Sequence, residues 1–325
     1  MTTKEHKPVI AVIVPCCNEE EVLPFTADRL SQKIRGLVAE SKISEKSIIV
    51  FVDDGSRDST WRLIEKYHSE NPSIFSGIKL SGNKGHQNAL LCGLLSVKNL
   101  VDAAISIDAD LQDDVDAIDE MLKSYSAGNE IVFGVRSDRK KDSFFKKITA
   151  QHFYRCMRFL GAEMVYNHAD FRLMGKRALC ALAEYREVNL FLRGIVPLLG
   201  YKTGKVFYTR KERFAGKSKY PFRKMLKFAI DGITSFSIKP IRLITLMGII
   251  IFMVSMAMIV YFTVKYFSGY TITGWASIAC SIWGIGGLIL FSIGIVGEYI
   301  GKIYIETKNR PRFHVEQLLF NELEK

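Results

Sequence analysis

The chain has 325 residues and a formal net charge of +11, and 48% of its residues are hydrophobic. This length exceeds what one compact core usually needs, and the composition excludes a disordered chain. The excess of positive charge predicts negatively charged partners, such as phosphates or an anionic membrane surface. Because the sequence contains no recognised nucleic-acid-binding motif, we expect no nucleic-acid partner.

Short apolar runs alternate with amphipathic helical patterns in the first part of the chain. The runs that read as strands are residues 9–14, 48–52, 103–107 and 131–135. The helical patterns between them cover residues 20–41, 59–69 and 87–98. Strands that alternate with helices are typical of βαβ units with a parallel sheet, so the sequence predicts an α/β domain.

Polar side chains follow each of the predicted strands. They are Asn18 and Glu19, Asp53 and Asp54, Asp108 and Asp110, and Arg136. Open parallel sheets bind their ligands at the carboxyl ends of the strands. We therefore expect these polar groups to line one cleft.

The third polar cluster is a D-x-D pattern formed by Asp108 and Asp110. Since side chains on a strand alternate with period two, both carboxylates are expected on the same side. Two close carboxylates repel unless a cation lies between them, and Mg²⁺ or Mn²⁺ prefers oxygen ligands together with substrate phosphates. The pattern predicts a divalent metal site for a diphosphate, and a solvated acidic turn is the alternative.

Two long uncharged apolar stretches lie in the last third of the chain, at residues 243–264 and about 275–297. Each reaches the roughly 20 residues that a helix needs to cross a bilayer. Basic residues precede the first stretch and follow the second, whereas the connector 266–274 contains no Lys or Arg. The positive-inside rule therefore predicts a hairpin of two membrane spans with both termini in the cytoplasm.

These patterns divide the chain into an α/β domain (1–220), an amphipathic interfacial helix (221–240), a two-helix transmembrane hairpin (241–300) and a cytosolic tail (301–325). The interfacial helix is indicated by apolar residues at helical spacing with basic residues elsewhere, as in helices that lie on anionic lipid. An ordinary surface helix over a core is the alternative. Gly297 and Gly301 form a G-x-x-x-G helix-packing pattern, and a homo-oligomer such as a tetramer is expected.

An ordered series of motifs covers nearly the whole chain. The motifs are Val14-Pro15 with Asn18-Glu19-Glu20, Asp53-Asp54-Gly55-Ser56 with Asp58 and Thr60, Asn83-x-Gly85, Asp108-x-Asp110-Leu111-Gln112-Asp113, Asp170-Phe171-Arg172-Leu173-Met174, and Ala215-Gly216-Lys217-Ser218-Lys219-Tyr220. The series resembles family-2 glycosyltransferases of the GT-A fold. It is most similar to the polyprenyl-phosphate glycosyltransferases, namely bactoprenol glucosyltransferases and dolichol-phosphate mannose synthase. Cys17 stands where Tyr is frequent, and Asp114-Val115-Asp116 where Pro-Pro-Glu is common, which implies local loop differences.

The resemblance implies a role for each group of residues. The nucleotide-sugar would be bound by Pro15, Asn18, Glu19, Asp53, Asp54, Lys84 and Asp108. The metal, Mg²⁺ or Mn²⁺, would be held by Asp108, Asp110 and Gln112. The phosphate of the acceptor lipid would meet Arg136, Arg139, Lys146, Arg172, Lys217 and Lys219. Asp110 and Asp170 are the catalytic candidates, and Asp170 is either a base or a structural ion-pair partner of Arg172.

The reaction that the resemblance implies is inverting transfer of a hexose from a nucleotide-sugar such as UDP-glucose to undecaprenyl phosphate, at the bacterial cytoplasmic membrane. Glucose is the expected sugar, with N-acetylglucosamine and mannose as alternatives, and the product would serve cell-envelope glycan modification. A catalytically inactive, membrane-tethered scaffold that binds nucleotide-sugars is the alternative of another class. A processive polysaccharide synthase is disfavoured, because none of Trp61, Trp275 and Trp283 lies in a Q-x-x-R-W motif.

Overall fold

A computed structural model of the chain describes residues 7–137, 168–187, 192–209, 239–268 and 275–321. Internal contacts divide the chain into two units. The first comprises residues 1–151, 164–219 and 310–325, and the second comprises residues 152–163 and 220–309. The first unit contains a β-sheet with its helices, and the second contains two long helices.

The first five strands and their helices follow the predicted alternation. The strands are β1 (Ile10–Cys16), β2 (Ile48–Asp53), β3 (Phe75–Leu80), β4 (Ala103–Ser106) and β5 (Ile131–Arg136). The helices between them are α1 (Leu23–Ala39), α2 (Thr60–Glu70), α3 (His86–Val97) and α4 (Ile118–Ser126), with a 3₁₀ turn at Val115–Ala117 before α4. The predicted α/β organisation is confirmed, and β3 is a strand that the sequence patterns did not indicate.

Three further strands complete the sheet in the described part of the chain. They are β6 (His168–Gly175), β7 (Thr203–Tyr208) and β8 (Val315–Leu319), and α5 (Lys176–Glu184) and α6 (Leu192–Leu198) lie between β6 and β7. The strand order is β7-β5-β6-β4-β1-β2-β3-β8. β6 and β8 run antiparallel to their neighbours, and the remaining pairs are parallel. The sheet is therefore mostly parallel, as predicted.

The central strands are buried on both faces. Every residue of β1, β2 and β4 is buried, which explains why their sequences are continuous apolar runs and do not alternate. α3 packs especially close to the sheet, because a Cβ added to Gly93 would lie 2.4 Å from Cγ2 of Ile13. Only glycine allows this approach, and it fixes the position of α3, whose first residues belong to the site described below.

The C-terminal segment corrects the sequence-based prediction of a tail from residue 301. A long helix continues to Thr307, and β8 then pairs with β3 at the edge of the sheet. The N–H of Ser81 donates to the carbonyl of His314 (3.0 Å), and Lys79 pairs with Glu316 (2.8 Å). Most side chains of β8 are exposed, so its sequence lacks the apolar run by which a central strand is recognised.

The second unit contains α7 (Lys239–Phe267, 29 residues) and α8 (Trp275–Thr307, 33 residues). The predicted spans, 243–264 and 275–297, fall inside these two helices. No helix in the described part of the chain combines the length and apolarity that crossing a membrane requires. The two spans therefore stay a prediction. The predicted interfacial helix, 221–240, lies outside the described residues except for its last two positions.

Candidate active site

The loops after β1 and β2 lie together at the carboxyl ends of these parallel strands, as the sequence predicted. The N–H of Asn18 donates to Oγ of Ser56 (2.9 Å), and the side-chain carbonyl of Asn18 accepts the N–H of Arg57 (2.8 Å). Asn18 has a φ of 54°, a left-handed conformation that asparagine tolerates well. The N–H of Glu19 donates to Oγ1 of Thr60 (2.9 Å). Asn18 thus joins the two loops. Its role in binding the donor stays a prediction.

Asp53, the last residue of β2, and Asp54 after it are both buried, and burial raises the pKa of each carboxyl group. Asp53 accepts the N–H of Ser56. Asp54 accepts the N–H groups of Lys84 (2.6 Å) and Gly85 (2.9 Å) through its two oxygens. Asp54 therefore holds the loop that leads into α3, and Lys84 is fixed there through its backbone while its side chain is exposed.

Gly55, between these two loops, allows a sharp test of the geometry. Its φ is 65°, and an added Cβ would lie 2.5 Å from the backbone nitrogen of Asn83. Gly55→Ala should lower the free energy of unfolding of the first unit by about 2–4 kcal/mol, because backbone strain and a backbone clash add. Thermal unfolding followed by far-UV circular dichroism measures this effect.

The matched control is Gly36→Ala, in α1, where an added Cβ would meet nothing within 4 Å. It should stabilise the protein by about 0.5–1 kcal/mol, since alanine is the better helix former. Equal effects of the two substitutions would contradict the close contact at Gly55.

The D-x-D acids lie in a loop, so the strand-alternation argument for their orientation is wrong. β4 ends at Ser106, and the chain turns at Leu111, which has a φ of 53°. The N–H of Gln112 donates to Oδ1 of Asp110 (3.2 Å) across this turn. A turn, and not the pleat of a strand, therefore sets the positions of Asp108 and Asp110. Asp110 is close enough to Asp108 to raise its pKa.

His86, the first residue of α3, connects the D-x-D loop to β6. Its Nε2 lies 3.5 Å from Oδ1 of Asp108 and 3.7 Å from Oδ2 of Asp170. Burial raises the pKa of Asp108 to about 6, and the charges of Asp113, Asp170 and Asp110 add to this effect while His86 opposes it. Partial desolvation lowers the pKa of His86, but Asp170 and Asp108 outweigh this effect and hold that pKa above its ordinary value.

The residues of the D-x-D loop fit a hard divalent cation in their chemistry. Asp108 and Asp110 supply carboxylate oxygens and Gln112 an amide oxygen, the ligand type that Mg²⁺ and Mn²⁺ prefer. Burial, with the charges of Asp113, Asp170 and Asp110 added to it, raises the pKa of Asp108, and a cation at this loop would favour the charged carboxylate. Among the described residues, no three or more His, Cys, Asp or Glu side chains are already grouped as metal ligands.

Asp170, on β6, is held by two arginines. Its Oδ1 accepts from Nη2 of Arg172 (2.7 Å) and Nε of Arg193 (3.1 Å), and its Oδ2 accepts from Nη2 of Arg193 (2.9 Å). Burial alone would raise the pKa of Asp170, but His86, Arg193 and Arg172 hold it well below its ordinary value. A carboxylate stabilised in this way is a weak base, which favours the structural-partner alternative for Asp170.

The structure places two of the predicted acceptor-phosphate residues. Arg172 is 1% exposed and also donates to the carbonyl of Leu192 (3.4 Å), so its guanidinium group is used inside the protein. Arg136 donates from Nε to the hydroxyl of Tyr208 (3.3 Å), and its Nη2 lies 3.6 Å from Oδ1 of Asp113. Arg139, Lys146, Lys217 and Lys219 lie outside the described residues.

Three residues of this site escaped the sequence analysis: His86, Arg193 and Tyr208. The hydroxyl of Tyr208 donates to Asp113, which ties the end of β7 to the D-x-D loop. Each of the three comes from a different element, α3, α6 or β7. Arg193 and Tyr208 lie outside the sequence motifs, so the motifs gave no signal for them. His86 directly follows the Asn83-x-Gly85 motif, and this position could have indicated it.

Comparison with known proteins agrees with this architecture. Residues 11–182 match the family model described as glycosyl transferase family 2. The chain belongs to this family. It is therefore a glycosyltransferase, and curated relatives match it along nearly its whole length. The uncharacterized glycosyltransferase YkoT of Bacillus subtilis is 52% identical over 98% of this chain and 94% of its own.

A second relative of the family-2 chain has a more informative name. The SfII prophage-derived bactoprenol glucosyl transferase of Shigella flexneri is 35% identical over 95% of this chain and 97% of its own. Among solved structures, glucosyl-3-phosphoglycerate synthase from Mycobacterium tuberculosis, in complex with Mn²⁺, UDP-glucose and phosphoglyceric acid, is 14% identical. The match covers 70% of this chain and 78% of that one, with a TM-score of 0.45.

Proposed function

We propose that this glycosyltransferase transfers a hexose, glucose in the first place, from a nucleotide-sugar such as UDP-glucose to undecaprenyl phosphate. The observation that carries the proposal is the full-length similarity to bactoprenol glucosyl transferases, at 35% identity. N-acetylglucosamine and mannose are the alternative sugars. The lipid-linked sugar would then supply a second enzyme that modifies a cell-envelope glycan.

The donor half of the site supports this reaction. Asp108, Asp110 and Gln112 would hold Mg²⁺ or Mn²⁺, which, when bound, neutralises negative charge on the departing nucleoside diphosphate. The joined loops after β1 and β2 offer Glu19 and Asp53 as groups that recognise the nucleoside. Asp54 contributes by holding the neighbouring loop, through Lys84 and Gly85.

The acceptor half needs little base catalysis. A phosphate monoester has a second pKa near ~6, so it is largely ionised at neutral pH. One of its oxygens would attack the anomeric carbon of the sugar and form a new C–O bond with inversion. The bond from that carbon to the diphosphate would break, and its electron pair would leave with the nucleotide. The protein must therefore position two anions, which suits a site that combines carboxylates with arginines.

The two long helices support a membrane location for the acceptor. Large apolar side chains are exposed along both of them, including Ile249 and Met253 on α7 and Ile293 and Ile300 on α8. Exposed apolar surface of this extent marks a membrane or protein partner. The chain leaves the first unit at residue 219, before α7, and returns to it at residue 310, after α8. We place the two helices as a hairpin in the bacterial cytoplasmic membrane, with both termini in the cytoplasm. A homo-oligomer stays a prediction.

This topology predicts opposite accessibility for two tags. A reporter fused after Lys325 should be active in the cytoplasm, because β8 belongs to the same sheet as β3. A cysteine tag between residues 268 and 273 should react with an impermeant thiol reagent added to intact cells. Both reactions are measured on the same expressed chain. Labelling of the 268–273 tag only after cell lysis would contradict the hairpin.

The function itself is tested with the purified full-length protein in detergent. UDP-glucose, UDP-N-acetylglucosamine and GDP-mannose would each be supplied with undecaprenyl phosphate, and glycolipid would be followed by mass spectrometry. We expect a hexosyl-phosphoryl lipid from UDP-glucose. Binding of nucleotide-sugars without any glycolipid product from the three donors would contradict the proposal and indicate the scaffold alternative.

A further inference from the structure

Arg193 has the geometry of a prepositioned anion-binding residue. Its Nε and Nη2 donate to the two oxygens of Asp170 at 3.1 and 2.9 Å, the bidentate arrangement that fixes a guanidinium plane. The Arg193 side chain is 32% exposed, whereas that of Asp170 is 8% exposed. One side of the pair is thus anchored in the protein while Arg193 reaches the surface.

The backbone next to Arg193 is held by two further hydrogen bonds. The N–H of the preceding residue, Leu192, donates to Oε1 of Gln87 on α3 (3.0 Å). The carbonyl of Leu192 accepts Nη1 of Arg172 (3.4 Å). The start of α6 is therefore tied both to α3 and to β6. A long side chain held in this way loses little conformational freedom when a ligand binds, and this favours affinity.

The cations around Asp170 differ in what they can reach. Arg172 is 1% exposed and serves the interior. His86 is 41% exposed and lies between Asp170 and Asp108. Asp170 thus joins Arg193 to the D-x-D loop through His86. A phosphate that approaches the D-x-D loop comes within reach of a guanidinium group whose fork matches phosphate geometry.

We infer that Arg193 binds a phosphate group of a substrate and that Asp170 is the residue that positions Arg193. This inference rests on the proposed function of the same site. The phosphate belongs either to the donor diphosphate or to the lipid acceptor, and both present the same chemistry to a guanidinium group. Arg193 thereby joins the residues predicted to bind phosphate, while Arg172 and Asp170 act from behind it.

Binding measurements on Arg193→Ala test the first part. The probes are UDP-glucose and farnesyl phosphate, measured by titration calorimetry on the full-length protein. We expect Kd to rise about 10- to 100-fold for one of them, the loss typical of a charged hydrogen bond, and the affected probe identifies the phosphate. Arg177→Ala is the matched control, because Arg177 is exposed and contacts the ring of Tyr201 away from this cluster. Unchanged Kd values for both probes would overturn the inference.

Sugar transfer by the unaltered protein is measured beside these titrations. If transfer fails while Arg193→Ala still weakens phosphate binding, the proposed function is wrong and the assignment of Arg193 stands. If transfer occurs, KM for the affected substrate should rise in Arg193→Ala. Normal transfer and unchanged KM values for both substrates would overturn the assignment of Arg193 alone.

Guanidinium rescue tests the positioning role of Asp170. Added guanidinium ion should restore at least a tenth of the lost transfer in Arg193→Ala, because Asp170 can hold the ion in the vacated place. The double variant, Arg193→Ala with Asp170→Asn, should show no rescue by guanidinium. Its transfer activity should be no lower than that of the less active single variant, since the two residues act as one unit. A further large loss in the double variant, or rescue without Asp170, would show that Asp170 does not act through Arg193. If Asp170→Asn does not fold, because Arg172 loses its partner, failure of rescue in Arg193→Ala itself overturns the inference.

Discussion

Replacing Asp110 by Asn should lower the rate of sugar transfer about a thousandfold, and a chelator should stop transfer by the unaltered protein. A divalent cation that binds a departing diphosphate contributes several kcal/mol to stabilising this leaving group, and each 1.36 kcal/mol changes the rate tenfold. Asp110 directly precedes the turn at Leu111, and its charge contributes to the raised pKa of Asp108. The measurement is the initial rate of glycolipid formation across a titration of Mg²⁺ or Mn²⁺.

Asp116→Asn is the matched control for this carboxylate. Asp116 follows the D-x-D loop, but its side chain is 55% exposed and pairs with Arg29 and Lys33 on the surface. Surface ion pairs contribute little, so this variant should keep its activity and its melting temperature. Full transfer in excess chelator, or a normal rate for Asp110→Asn, would contradict the metal site.

Replacing Arg172 by Ala should lower the free energy of unfolding by about 3–5 kcal/mol. Removing one partner of a buried ion pair leaves the other charge poorly compensated, and the truncation also opens a cavity. Among the described residues, Arg172 has the largest side chain that is fully buried. Its guanidinium group contacts Asp170 and the carbonyl of Leu192. Thermal unfolding of the purified protein, followed by far-UV circular dichroism, should show a fall in Tm of at least about 6 °C.

Arg177→Ala, on the surface, should change the same free energy by less than about 1 kcal/mol. The comparison also decides the role that the sequence resemblance implied for Arg172. If Arg172→Ala has normal stability and a raised KM for the acceptor lipid, Arg172 binds the acceptor phosphate as the resemblance implied. A destabilised variant would confirm that this arginine supports the fold behind Asp170.

The fold was predictable where burial on both faces dictates the sequence. The strands β1, β2, β4 and β5 are continuous apolar runs, and their positions followed directly from this pattern. β3 was missed because its sequence includes Gly77 and Lys79, which interrupt an apolar run. β8 was missed because an edge strand with exposed side chains carries no such run. Its strand pairing comes from hydrogen bonds to β3, and sequence patterns do not encode that partner.

The site was predictable where its functional residues lie close together in one loop. It was not predictable where the contacting residues belong to elements far apart in the sequence. The D-x-D acids and the pair Asp53 and Asp54 were found because each set lies in one short segment. Arg193 meets Asp170 across 23 residues, and Tyr208 meets Asp113 across 95. These pairings depend on how β6, α6 and β7 return to the sheet, which the spacing of residues along the chain does not specify.

The pairing of β8 with β3 has a consequence for the order of events during synthesis. Lys79 and its partner Glu316 are 237 residues apart in the sequence. A ribosome takes roughly 12–50 s to add this many residues at about 5–20 residues per second. During that interval the edge of β3 is open to other strands, and such edges promote aggregation. The last strand emerges only after both long helices have been made. The nascent catalytic sheet is therefore completed late, and a chain interrupted before residue 315 keeps its vulnerable edge.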